Sequence, residues 1–150
     1  MAIQSGSIKA GTAAVDIKVV GSTSQETRIN KLDVINFANG TGANQCTAIV
    51  DPNITISANS TTITFGNLTT TQGAAWNFTE LKGYRLYNAD TNGNITVTST
   101  ALGLNGLTLP PGTFMAFGSA NATGLTVSNA TTVVANGTNG NILVLTMFVS

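Results

Sequence analysis

Cys46 is the only thiol in the chain and there is no histidine, so nucleophilic or acid–base chemistry would have to come from that cysteine and six acids and six bases. A thiol becomes a nucleophile when a nearby base or cation draws off its proton, and histidine is the usual base. Cys46 sits in Gln45-Cys46-Thr47-Ala48-Ile49-Val50, a run of strand composition, and is expected to be a buried structural thiol. Asp51-Pro52 directly after it reads as the turn that ends the strand rather than as an acid catalyst.

The remaining charges, from Lys9 to Asp90, are scattered, and they balance to a net charge of zero. Metal sites need clustered His, Cys or carboxylate ligands, and nucleic-acid binding needs several Lys or Arg along one stripe. Neither pattern occurs. Gly103-Leu104-Asn105-Gly106 and Gly137-Thr138-Asn139-Gly140 lack the lysine and following helix of a phosphate-binding loop. We therefore expect no enzymatic activity, no cofactor, no metal and no nucleic-acid partner. No apolar run approaches a membrane span, and the start of the chain has no charged-then-apolar leader. The expectation is a protein made in the cytoplasm, with no membrane partner.

From Thr91 to Ser150 there is no charged residue at all, and the whole chain is 8% charged against about a quarter in ordinary soluble domains. Its surface must be built from Asn, Thr, Ser and Gly, and little charge repulsion opposes self-association. Nine Asn-x-Thr sequons occur; Asn at i and Thr at i+2 fall on one polar strand face, so alternation alone generates them.

The elements that would position these residues are strands. Val15, Ile17 and Val19 alternate with Asp16 and Lys18, Ile54 and Ile56 with Thr55, Ile63 and Phe65 with Thr64, and Ile95 and Val97 with Thr96. Only Ser22 to Lys31 could hold a short helix. Asp90-Thr91-Asn92-Gly93 between two strand-like runs predicts a β-hairpin, and Pro110-Pro111-Gly112 predicts a tight corner between two strands. The fold expected is all-β: a short N-terminal arm, 1–11, then one antiparallel β-sandwich domain, 12–150, for which a jelly roll is one candidate arrangement.

In the last strand, Asn141 to Val149, both alternating sets are apolar. Either this strand is buried on both sides within one domain, under a loop or a second layer, or its outer side, Leu143, Leu145 and Met147, is buried by another subunit to give a dimer or trimer, and the second is the expectation taken here. The arm with Ile8 is either a frayed terminus or a companion contact that adds as a strand to a neighbour. Trp76, Tyr84 and Tyr87 are the residues for a rival reading, in which an aromatic platform stacks on sugars in a carbohydrate- or receptor-binding module.

The succession Lys82-Gly83-Tyr84-Arg85-Leu86-Tyr87-Asn88, Asn94-Ile95-Thr96-Val97, Leu107-Thr108-Leu109-Pro110-Pro111-Gly112-Thr113-Phe114-Met115 and a closing apolar strand resembles small β-sandwich virion proteins of tailed bacteriophages, of the capsid decoration or cement type. The resemblance covers about residues 81–150. It implies a non-enzymatic structural protein on the capsid surface of a virion, whose partner is the major capsid protein and which bridges and stabilises capsomers.

Overall fold

The computed structural model describes the backbone of residues 5–20, 23–118 and 123–150, and side chains from Phe37 onward within that set. Among the described residues there are thirteen strands and one short 3-10 turn. The fold is all-β and antiparallel, as the alternation predicts, with two packed sheets and a long ribbon.

The first sheet contains β4 (Ala48–Val50), β5 (Asn53–Thr55), β7 (Glu80–Asn88), β10 (Phe114–Gly118), β11 (Leu125–Thr126) and β13 (Ile142–Val149), in the order β10-β7-β13-β4. We call it the major sheet. β4 and β5 pair with successive parts of β13 along one edge, and the Asp51-Pro52 corner separates them. β13 is therefore central in the sheet; its inner set is buried in the core, while of its outer set Phe148 is covered by Phe37 and Ile142 stays exposed. The second, minor sheet has the order β6-β12-β8-β9, from β6 (Ser60–Thr64), β12 (Thr132–Asn136), β8 (Ile95–Ser99) and β9 (Leu104–Leu109).

The inner sides of the two sheets form one core. Tyr84, Leu86, Leu143, Leu145 and Met147 enter it from the major sheet and Ile63, Ile95, Val97 and Val133 from the minor sheet. Phe65 and Trp76 pack together at 4.8 Å between ring centroids and close one part of it. Each fully buried aliphatic side chain contributes roughly 1.5–3 kcal/mol, so this core is the main source of stability in a chain without a disulfide.

The predicted Asn92-Gly93 hairpin is not one. β7 lies in the major sheet and β8 in the minor sheet, so the turn is an arch between layers. The cause is Asn88, which is wholly buried. Its Nδ2 donates to the carbonyls of Gly93 at 3.0 Å and Leu109 at 2.9 Å, and its Oδ1 accepts from Asp90 N–H. Its own backbone bonds Gly112 N–H and Thr113 C=O in the Pro110-Pro111-Gly112 corner. That corner, as expected, joins two strands, and it too crosses between sheets, from β9 to β10.

The N-terminal region is a two-stranded ribbon: β1 (Ser5–Val20) pairs with β2 (Thr23–Asn39) along its whole length, and β3 (Gln45–Cys46) joins the end of β2 in parallel. β1 runs through Gly11 without a break. The helix considered over 22–31 is strand β2 from Thr23 onward; Thr27 to Ile29 is poor helix material.

Candidate interaction surfaces

The residues singled out by sequence are distributed differently from the expectation. Leu143, Leu145 and Met147 are fully buried in the core of their own chain and present no surface to a partner. Both sets of β13 are apolar, so composition could not assign the sides; pairing with Leu86, Tyr84 and Val50, all buried, does. The outward set is Ile142, Val144, Thr146 and Phe148. The side chain of Ile8 lies outside the described residues.

The aromatic platform does not assemble either. Trp76 is 4% exposed and Tyr84 2%, with the Tyr84 hydroxyl donating to the buried Leu102 carbonyl at 3.3 Å. Tyr87 alone of the three reaches the outer side of the major sheet.

That outer side has two parts. At one end Phe37, at the close of β2, stacks on Phe148 with centroids 5.1 Å apart, and Cys46 is sealed beside them. Burial pushes the Cys46 thiol above its ordinary pKa, so it stays protonated and inert at neutral pH. Across the rest of the face, Phe114 is 52% and Ile142 38% exposed, the two exposed large hydrophobic residues among those described. Phe114 pairs with Tyr87, which pairs with Val144, placing the three in one row. The guanidinium of Arg85 in the next row lies 4.7 Å from the Tyr87 ring centre and 5.2 Å from that of Phe114, within cation–π range of both rings. At the far edge Thr146 donates to Asp51 at 2.7 Å. Sequence reasoning missed Phe114, Arg85 and Ile142; the Arg85-x-Tyr87 alternation was the available signal.

The outer side of the minor sheet is different. The register sets Thr64 opposite Thr132, Val134 between Thr62 and Thr98, and Thr96 opposite Thr108. The result is a field of hydroxyls and methyl groups without a charge, in which Thr96 and Thr108 are 3.3 Å apart through their hydroxyls. Only five of the twelve charged residues follow the ribbon, namely Asp51, Glu80, Lys82, Arg85 and Asp90, so hydroxyl and amide groups dominate the sandwich surface.

Where ionisable groups do meet, they are structural. A β-bulge opposite Phe148 and Val149 makes Lys82 the extra residue of β7. Its buried ammonium bonds Glu80 at 2.5 Å and reaches the Thr41 carbonyl at 3.4 Å. The hydrogen bond from Lys82, aided by its charge and by Ser150, holds the Glu80 carboxyl below the usual range. A cleft of about 240 Å³ beside Asp51 is lined by Pro52, Asn67, Leu68 and Thr69 to Thr71, so its walls offer one carboxylate and no second ionisable group. Among the described residues no three His, Cys, Asp or Glu side chains gather as a metal site, and no helix is long and apolar enough to cross a membrane.

Fold and surfaces together define a small antiparallel β-sandwich with an apolar–cationic face on one sheet and an uncharged threonine face on the other. Comparison with known proteins returns no match, whether to a family model, a curated sequence or a solved structure.

Proposed function

We propose that this chain is a non-enzymatic viral structural protein of the capsid decoration type, which attaches to the major capsid protein of an assembled shell and strengthens contacts between capsomers. The observation that carries the reading is the outer side of the minor sheet, where Thr62, Thr64, Thr96, Thr98, Thr108 and Val134 form an uncharged face. Such a face binds through hydroxyl hydrogen bonds and methyl packing, each weak, and many copies on a lattice make the sum strong. The sealed thiol and the lone carboxylate of the Asp51 cleft agree with a binding rather than a catalytic role. The sugar-binding alternative loses two of its three residues, since Trp76 and Tyr84 are in the core and only Tyr87 reaches the surface.

Cosedimentation with empty capsids at low and high salt tests the proposal. Without interfacial ion pairs, binding should change little with ionic strength. Val134→Lys and Thr98→Lys, central on the threonine face, should abolish it while the fold persists. Failure to bind shells at any salt, or binding that both lysine variants leave intact, would refute it.

A further inference from the structure

We propose that Asn92 is a site of covalent self-modification, at which the folded chain turns its own side-chain amide into a carboxylate and so places the first ionised side chain in the uncharged stretch from Thr91 to Ser150. The inference concerns the purified chain alone and does not depend on the viral reading.

The chemistry belongs to the Asn-Gly pair. The backbone nitrogen of the glycine attacks Cγ of the asparagine; a new C–N bond forms, the C–N bond of the side-chain amide breaks, and ammonia leaves with the proton that the backbone nitrogen gives up. Water then opens the cyclic imide. Cleavage at Cγ gives aspartate, and cleavage at the backbone carbonyl carbon gives the β-linked isoaspartate. The sum is amide plus water to acid plus ammonia, with no oxidant or reductant. A following glycine favours the ring because it has no Cβ to crowd the attacking nitrogen, and that nitrogen must be free of other bonds to reach Cγ.

The chain contains five such pairs, at Asn39, Asn92, Asn105, Asn136 and Asn139, and the fold separates them. Gly40 N–H donates to the Cys46 carbonyl at 3.0 Å, Gly137 N–H to that of Asn59 at 3.1 Å and Gly140 N–H to that of Ile56 at 2.8 Å. Asn105-Gly106 lies inside β9, between the pairs Ser99–Leu104 and Val97–Leu107 that hold it to β8. Ring closure at these four requires local opening first.

Asn92 meets no such barrier. Gly93 N–H has no hydrogen-bond partner among the described residues, and both residues are exposed at the tip of the arch. The departing Nδ2 contacts the exposed Thr91 hydroxyl at 3.3 Å. The arch also requires the glycine that leaves the nitrogen open: its φ is +104°, and a Cβ there would lie 3.0 Å from Asn141 Nδ2 and 3.4 Å from Thr138 Oγ1. In the isoaspartyl product the backbone gains one carbon just ahead of Gly93, whose carbonyl Asn88 holds, so the modification reaches the crossing between the sheets.

Peptide mapping by mass spectrometry, on the full chain kept folded in mildly alkaline buffer and on the same chain in urea, tests this. In urea all five pairs should turn to acid at similar rates. In the folded chain Asn92 should react roughly fivefold or more faster than the other four, the factor that one net backbone hydrogen bond makes in a local opening. Anion exchange should then separate a more acidic species that Asn92→Gln does not form, since glutamine would have to close a larger ring. Another pair reacting as fast in the folded chain, an Asn92 amide preserved there while the urea control reacts, or an acidic species that forms as fast in Asn92→Gln would overturn the proposal.

Discussion

Replacing Asn88 by Ala should destabilise the protein more than its small size suggests. The side chain makes three hydrogen bonds inside the fold, two from Nδ2 and one to Oδ1, and the residue has no solvent exposure. A net hydrogen bond is worth about 0.5–1.5 kcal/mol, and a buried group left unpaired costs about 1–3 kcal/mol. Water can reach the partners in the 89–94 arch, whereas Leu109 is buried, so a total of roughly 2–4 kcal/mol is expected. With a urea slope near 2 kcal/mol/M, the midpoint should fall by about 1–2 M. Trp76, the single tryptophan and buried, supplies the fluorescence signal. Asn92→Ala, on the exposed tip of the same arch, is the control and should change stability by less than about 0.5 kcal/mol. An Asn88→Ala protein within about 0.5 kcal/mol of the original would refute the view that this amide holds the two inter-sheet crossings together.

Alkaline stability should decline from about pH 9. Burial raises the Cys46 thiol and the Tyr84 phenol, so their contribution is complete below the unfolded-state values and is lost as pH rises through the folded ones. Cys46→Ala should flatten the early part of that decline in a series of urea midpoints; an unchanged profile would count against it. At the acid end the sign reverses. The Glu80 carboxyl is depressed, so its contribution is present above the ordinary carboxylate range and disappears as pH falls through the folded value. Glu80→Gln should remove that acid dependence and should destabilise more than Lys82→Met, because it strands a buried ammonium whereas the methionine leaves only a partly exposed carboxylate. Equal effects of the two, measured by thermal melting, would contradict the argument.

The strands were legible because apolar and threonine positions alternate with period two, and the buried state of Cys46 followed from its strand neighbours. Layer assignment was not. Asn92-Gly93 marks a turn correctly, but whether a turn folds a strand back or sends it to the other sheet depends on where Asn88 finds partners, and one of these, Leu109, is 21 residues away. The same limit misassigned β13: with Ile142, Val144 and Phe148 on one side and Leu143, Leu145 and Met147 on the other, only the register with β4 and β7 tells inside from outside. The ribbon was half visible, its first strand in the Val15-Ile17-Val19 alternation, while its second was obscured by the charged residues of 26–33, which suit helix and exposed strand alike.

The central place of β13 has a consequence for synthesis. It is the last strand in chain order, yet β4, β5 and β7 all pair with it. As the chain emerges from the ribosome N-terminus first, the minor sheet can assemble once β12 is out, but the major sheet lacks its middle until residues 142–149 follow. Through that interval Val50, Ile54 and Leu86 face no finished layer, and the strand edges of β4, β5 and β7 stand open to neighbouring nascent chains. Closure of the sandwich therefore waits for residues 142–149, and a chain cut just before Ile142 is expected to aggregate, because the edges of β4, β5 and β7 stay open.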